Sequence, residues 1–180
     1  MLTLVVEGDE YYNEETQEFE THGDFVLELE HSLVSLSKWE SKHNKAFLND
    51  RAKTSEEIMS YIECMILTPV YPPDITSRFS NSNLEAINNY IESKQTATSF
   101  GEMPQRKGRG EVITSELIYY WMVAFTIPFE CEHWHLNRLF ALIRICNIKN
   151  APAKKMSRSE IARRNRDLNE SRKAQLGTSG

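Results

Sequence analysis

Apolar positions along this chain change their spacing, and the change marks its architecture. Near the N-terminus the period is two. Leu2 to Val6 is apolar-rich, and Phe25, Leu27 and Leu29 alternate with Val26, Glu28 and Glu30, the pattern of half-buried strands. Tyr11, Tyr12 and Phe19 flank the polar run Asn13 to Gln17 and predict a small hairpin, giving an N-terminal β-element of two to four strands. From Ser32 the period lengthens. Leu33, Leu36 and Trp39 are spaced by threes, with Lys38, Glu40 and Lys42 left for an outer face, which predicts a short helix.

Capping residues punctuate the rest. Thr54 with Glu57 forms a capping box ahead of Ile58, Tyr61, Ile62, Met65 and Ile66, predicting a helix over 54–67. Pro69, Pro72 and Pro73 end it, since proline cannot continue a helix and restricts the residue before it. Ser82 with Glu85 suggests a second box, before Leu84, Ile87 and Ile91, and a helix to about Ser93. The segment 101–110, GEMPQRKGRG, is a polar, basic loop. Thr114 or Ser115 caps a helix to about Phe125, and Pro128 precedes a long helix from about Glu130 to Lys149, the two expected to pack as a bent hairpin. Ser157 with Glu160 opens a basic helix that stops near Gly177, with only Ile161, Leu168 and Leu176 as an apolar stripe. Such a helix cannot bury much against its own core and is expected either to fray or to dock on a partner. The expected fold class is therefore α+β, mainly α: a small antiparallel β-element (1–31), a helical core domain (32–150) and a basic C-terminal helix or tail (151–180).

Charge sharpens this picture. The net charge is −5 over 180 residues, but residues 1–30 hold ten Asp or Glu and no Lys or Arg, whereas 149–180 hold nine Lys or Arg against three Asp or Glu. That polarity fits a solvated helix face, a nucleic-acid tail, a docking arm for an acidic partner, or head-to-tail attraction between copies. The acidic segment and the net negative charge oppose phosphate binding by the tail and by Arg106, Lys107 and Arg109. Cys64, Cys131 and Cys146 sit among apolar neighbours without a CxxC, which favours reduced thiols in a cytosolic setting. MLTLVVEGDEYY has no basic n-region, and the longest apolar run, Leu117 to Phe129, spans 13 residues, short of the ~20 that a membrane helix needs. Neither a secretory signal nor a membrane span is expected.

Candidate chemistry is sparse. Cys131, His133 and His135 invite a metal reading, with Cys146 or His43 as a further ligand, but on a helix this spacing splays the side chains apart. The competing expectation is that Cys131 and one His pack in the core while the other His lies at the surface. His133-Trp134-His135-Leu136-Asn137 has the residue types of a small His-Asn nuclease in a helical pattern that lacks the ββα metal fold. GRG at 108–110 has neither the P-loop ending nor a preceding strand. No nucleophile elbow is present either, so neither a catalytic site nor a cofactor is expected. Trp39, Trp121 and Trp134, with Tyr119 and Tyr120, read as core packing ahead of interface hot spots.

Several segments together carry a family likeness: LEHSLVSLSKWESK at 29–42, Cys64-Met65, Thr96-Ala97-Thr98, EVITSELIYYWM at 111–122, IPFECEHWHLNRL at 127–139 and KKMSRSEIARRNRDLNESRKAQLG at 154–177. In these the chain resembles the tail assembly chaperone family of long-tailed, non-contractile (siphovirus-type) double-stranded DNA bacteriophages. The resemblance implies a non-enzymatic protein of the infected bacterium's cytoplasm, absent from the mature virion. Such a chaperone binds the helical tape measure protein and keeps it soluble while the major tail protein polymerises around it. A homo-oligomer coating the tape measure fits the opposite charges of the two ends. On the partner side the residues to test are Arg158, Arg163, Arg164, Arg166 and Arg172, with Ile161 and Leu168 as a narrow apolar strip; no family motif assigns them. The rival readings are a permanent virion component of the tail or head-to-tail connector, and a nucleic-acid-binding adaptor.

Overall fold

A computed structural model describes residues 1–8, 10–21, 23–49, 52–100, 112–151 and 157–177; the basic loop at 101–110 lies outside them. The fold is α+β, mainly α. The chain divides into two compact units, Met1–Asn147 and Ile148–Gly180.

In the first unit, β1 (Leu2–Val6) pairs antiparallel with β4 (Phe25–Leu29), and β2 (Glu10–Asn13) pairs with β3 (Glu18–Thr21). The two ladders are separate two-stranded sheets, and three residues separate β1 from β2 and three separate β3 from β4, so both keep the same register. Gly8 and Gly23 stand at facing positions between them, where glycine weakens strand structure. There the Gly8 N–H donates to Asp24 Oδ1 at 2.9 Å in place of a ladder bond. Leu4, Val6, Leu27 and Leu29 face inward and are buried, as the period of two requires.

Among the described residues five α-helices follow in this order: α1 (Leu33–His43), α2 (Ser55–Met65), α3 (Asn81–Glu92), α4 (Ser115–Ala124) and α5 (Leu136–Asn150), the last crossing the division between the units. The buried face of the β1–β4 ribbon belongs to the same core as Leu33, Leu36 and Trp39 of α1, Tyr61 and Met65 of α2, Ile87 of α3, Ile118 and Met122 of α4, and Leu136 and Leu139 of α5. The spacing by threes in α1 thus reports its buried stripe. In the second unit, α6 (Arg158–Leu176) begins at the capping box Ser157/Glu160 and stops at Gly177, whose φ of 65° is left-handed, a conformation glycine adopts without penalty.

Four expectations need correction. Helix α2 ends at Met65 rather than residue 67, because Ile66 bridges Leu29 and the Leu67 N–H donates to the Glu28 carbonyl at 2.8 Å; pairing with the edge of β4 outcompetes another helical turn. Helix α3 is capped by Ser80 and Asn83, two residues ahead of the expected box, since Asn83 Oδ1 reaches back to the Ser80 N–H at 3.1 Å as a Glu would. The expected helix from Glu130 starts only at Leu136, after a 3-10 turn at Phe129–His133. His135 instead leaves the helical path to bridge Ser32, and the Leu136 N–H donates to the His31 carbonyl at 2.7 Å. Finally, α4 does not pair closely with α5. It packs on α1, where Glu40 Oε2 accepts the Ser115 N–H at 2.7 Å.

Candidate functional site

The residues that drew a metal or nuclease reading are separated by the break before α5. Cys131 is buried, and desolvation raises its thiol pKa. His133 is exposed, with Nε2 3.5 Å from Glu132 Oε1. His135 is buried, its Nε2–H donating to the Tyr90 carbonyl at 3.0 Å while Nδ1 accepts the Asn137 N–H at 3.3 Å. Asn137 Nδ2 donates to the Ile91 and Ser93 carbonyls at 3.0 and 2.9 Å. His135 and Asn137 therefore help close the C-terminal end of α3, where the Tyr90 carbonyl also accepts from the Ser93 N–H and hydroxyl. Among the described residues, no three His, Cys, Asp or Glu side chains converge to hold a metal ion.

Around His135 lies a buried polar cluster. His31 and His135 are 4% and 5% exposed, with ring centroids 5.1 Å apart. The Tyr61 hydroxyl lies 2.6 Å from His31 Nδ1. Glu30 accepts the Tyr90 hydroxyl on Oε1 at 2.6 Å and the Met1 amino group on Oε2 at 2.7 Å. Burial, and then the neighbouring His135, lower the His31 pKa to about 4; burial also lowers that of His135. Burial holds the Tyr61 and Tyr90 phenols well above their ordinary range. Neutral imidazoles and protonated phenols whose hydrogen bonds are internal make a structural lock, joining the start of α1 to α2, α3 and α5.

The open surfaces are elsewhere. Between α4 and α5 runs a cleft of about 380 Å³ lined by Trp121, Phe125, Phe140, Ile143, Arg144 and Asn147. A second cleft of about 360 Å³ shares Phe140 and Arg144 and reaches Phe100 and Lys94; Arg144 lies over the Phe100 ring, 4.2 Å from its centroid. Trp121 is half-buried against the core, as its sequence pattern suggests, together with Phe125 and Phe140, and Ile143 is buried in it; the groove above them has no counterpart in that pattern. The spacing Phe140, Ile143, Arg144, Asn147 follows i, i+3, i+4, i+7 and is the signal that marks one face of α5.

Helix α6 exposes every residue it contains. Its geometry divides the seven residues singled out from the sequence. Arg158, Ile161, Leu168 and Arg172 recur at spacings of three, seven and four and share one face, which carries no carboxylate. Arg164 borders that face, one turn from Glu160, while Arg163 and Arg166 fall on the side of Glu160, Asp167 and Glu170. The sequence grouped the arginines by charge; the helical period sorts them into a basic-apolar front and a mixed back.

Compared with known proteins, the chain matches no family model, no curated protein and no solved structure.

Proposed function

We propose that this chain is a non-enzymatic phage tail assembly chaperone that binds the tape measure protein and keeps it soluble while the major tail protein polymerises. The observation that carries the reading is the groove lined by half-buried Trp121, Phe125 and Phe140 over buried Ile143. A groove of this kind suits the apolar stripe of an amphipathic helix, and a tape measure, as the resemblance describes it, is a long amphipathic rod that needs its stripe masked. Arg144 and Asn147 at the rim supply the polar border that such a contact uses. The quoted segments that resemble the chaperone family support the identity of that helix, and the reading places the protein in the cytoplasm of the infected bacterium.

The test is co-expression with the tape measure protein of the same phage, followed by tagged pull-down and size exclusion. A soluble complex that is missing from purified particles is the expected result. An insoluble tape measure, with this protein present in virions, would move the assignment to a permanent tail or connector component. Trp121→Ser with Phe140→Ser is expected to abolish capture, as is the rim pair Arg144→Glu with Asn147→Glu, which spares the apolar packing. Loss of capture only on changing Arg158, Arg163, Arg164, Arg166, Arg172, Ile161 or Leu168 would place the contact on α6.

A further inference from the structure

We propose that the front face of α6 is the docking surface for the acidic N-terminal hairpin of a second copy of this chain, so that copies join head to tail. This gives the homo-oligomer suggested by the opposite charges of the two ends a specific contact, and it does not depend on binding of the tape measure.

The α6 face presents Ile161 and Leu168, 45% and 44% exposed, between Arg158 and Arg172. An α-helix places the two apolar residues ~10 Å apart and the two arginines ~21 Å apart. Leu176, 74% exposed, continues that face one turn beyond Arg172, and none of the residues of α6 is buried. An exposed apolar strip flanked only by cations asks for a partner that is apolar at its centre and acidic at its edges.

The distal ribbon β2–β3 has that composition. Tyr12 and Phe19 face each other across the ladder, their rings in edge contact at 5.2 Å, and stand 51% and 74% exposed. An aromatic pair so open on a two-stranded ribbon has little to stabilise it within the ribbon alone. Exposed Glu10 shares their face, two residues or ~7 Å along the strand from Tyr12, while exposed Glu14 in the turn and Glu18 on the opposite face of β3 add to the negative charge of the hairpin. Residues 1–30 contribute no Lys or Arg to offset them. Charge complementarity, with an apolar centre on each side, therefore selects the hairpin as the occupant.

Because the two surfaces differ, the interface is heterologous, and repeated joining gives an open chain or a closed ring. One hairpin against one helix is at the small end of specific interfaces, so the association is reversible and, being carried by exposed charges, is weakened by salt.

The test uses the full chain alone, without a tape measure protein, so its failure is distinguishable from failure of the chaperone reading. Analytical ultracentrifugation at low ionic strength is expected to show mass rising above the 20.9 kDa of one copy as concentration increases. Raising salt from about 50 to about 500 mM is expected to weaken association more than about tenfold. Tyr12→Ser with Phe19→Ser, and separately Arg158→Glu with Arg172→Glu, are each expected to stay single. Mixed, the two variants retain one intact hairpin and one intact α6 between them, and are expected to form a 1:1 pair that grows no further. Should the aromatic changes unfold the hairpin, Glu10→Lys, Glu14→Lys and Glu18→Lys replace them, and mixing with the Arg158→Glu, Arg172→Glu chain is expected to restore pairing by reversed charge. A native chain that remains a single copy at low salt overturns the proposal. So does self-association that survives either variant, or a mixture that fails to pair while both variants keep their native circular dichroism.

Discussion

At the scale of single residues, the exceptions to ordinary backbone and ionisation behaviour carry the information. Thr126 has φ 54°, a left-handed conformation that is costly for a β-branched residue. It closes α4: the Thr126 N–H donates to the Val123 carbonyl at 3.1 Å, and the Ile127 N–H to the Met122 carbonyl at 2.8 Å, the bond pattern that glycine usually terminates. Thr126→Gly is expected to raise the unfolding free energy by about 1 kcal/mol in a urea titration; a loss of stability would show that the threonine side chain has a role of its own. His31 gives a pH dependence whose sign follows from burial. Its pKa is about 4 in the folded chain against 6.5 when exposed, so between these values the unfolded chain binds the extra proton. Stability is then fully present above pH 6.5 and falls as pH drops toward 4, by on the order of 3 kcal/mol across that window, with His135 adding in the same direction. His31→Asn, which keeps an acceptor for Tyr61, is expected to flatten the fall, as urea unfolding at pH 7.5 and pH 5 will register.

At the scale of elements, three capping boxes do the same local chemistry in different surroundings. Thr54 and Glu57 open α2, Ser80 and Asn83 open α3, and Ser157 and Glu160 open α6. Helix α2 also buries Tyr61, Ile62 and Met65, whereas α6 buries nothing, so only α6 depends chiefly on its cap and propensity. Thr54→Ala is expected to lower global stability by about 1 kcal/mol with native helicity retained. Ser157→Ala is expected to reduce the 222 nm circular dichroism signal of the folded protein while leaving the urea midpoint in place; equal behaviour of the two variants would contradict this division. The boxes at Thr54 and Ser157 were legible in the sequence because a capping box is local. The one at Ser80 was missed because asparagine took the place of the expected glutamate. The late start of α5 was not legible at all, since the competitor for Leu136 is the carbonyl of His31, more than a hundred positions away.

At the scale of the whole molecule, distant segments are tied by a few buried polar groups. Glu40, 7% exposed, accepts the Phe47 N–H on Oε1 at 2.9 Å and the Ser115 N–H on Oε2 at 2.7 Å, fastening α1 to the start of α4. Glu40→Ala leaves both donors without that acceptor and is expected to cost about 2–4 kcal/mol of unfolding free energy, and Glu40→Gln about half as much; guanidinium titrations of the two variants will measure it. Glu40 looked like an outward-facing residue of α1 because its position between apolar residues says nothing of an acceptor needed 75 residues later. The same limit applies to the surfaces. Composition alone revealed an acidic N-terminal segment and a basic C-terminal helix, and periodicity alone revealed the strands, α1 and α6, because alternation, caps and charge are properties of neighbouring residues. That Trp121 and Phe140 leave a groove and that His135 and Asn137 close a helix end were decided only by the folded backbone. Hydrogen bonds between distant segments and the packing of one element on another depend on positions in space, which local spacing does not encode.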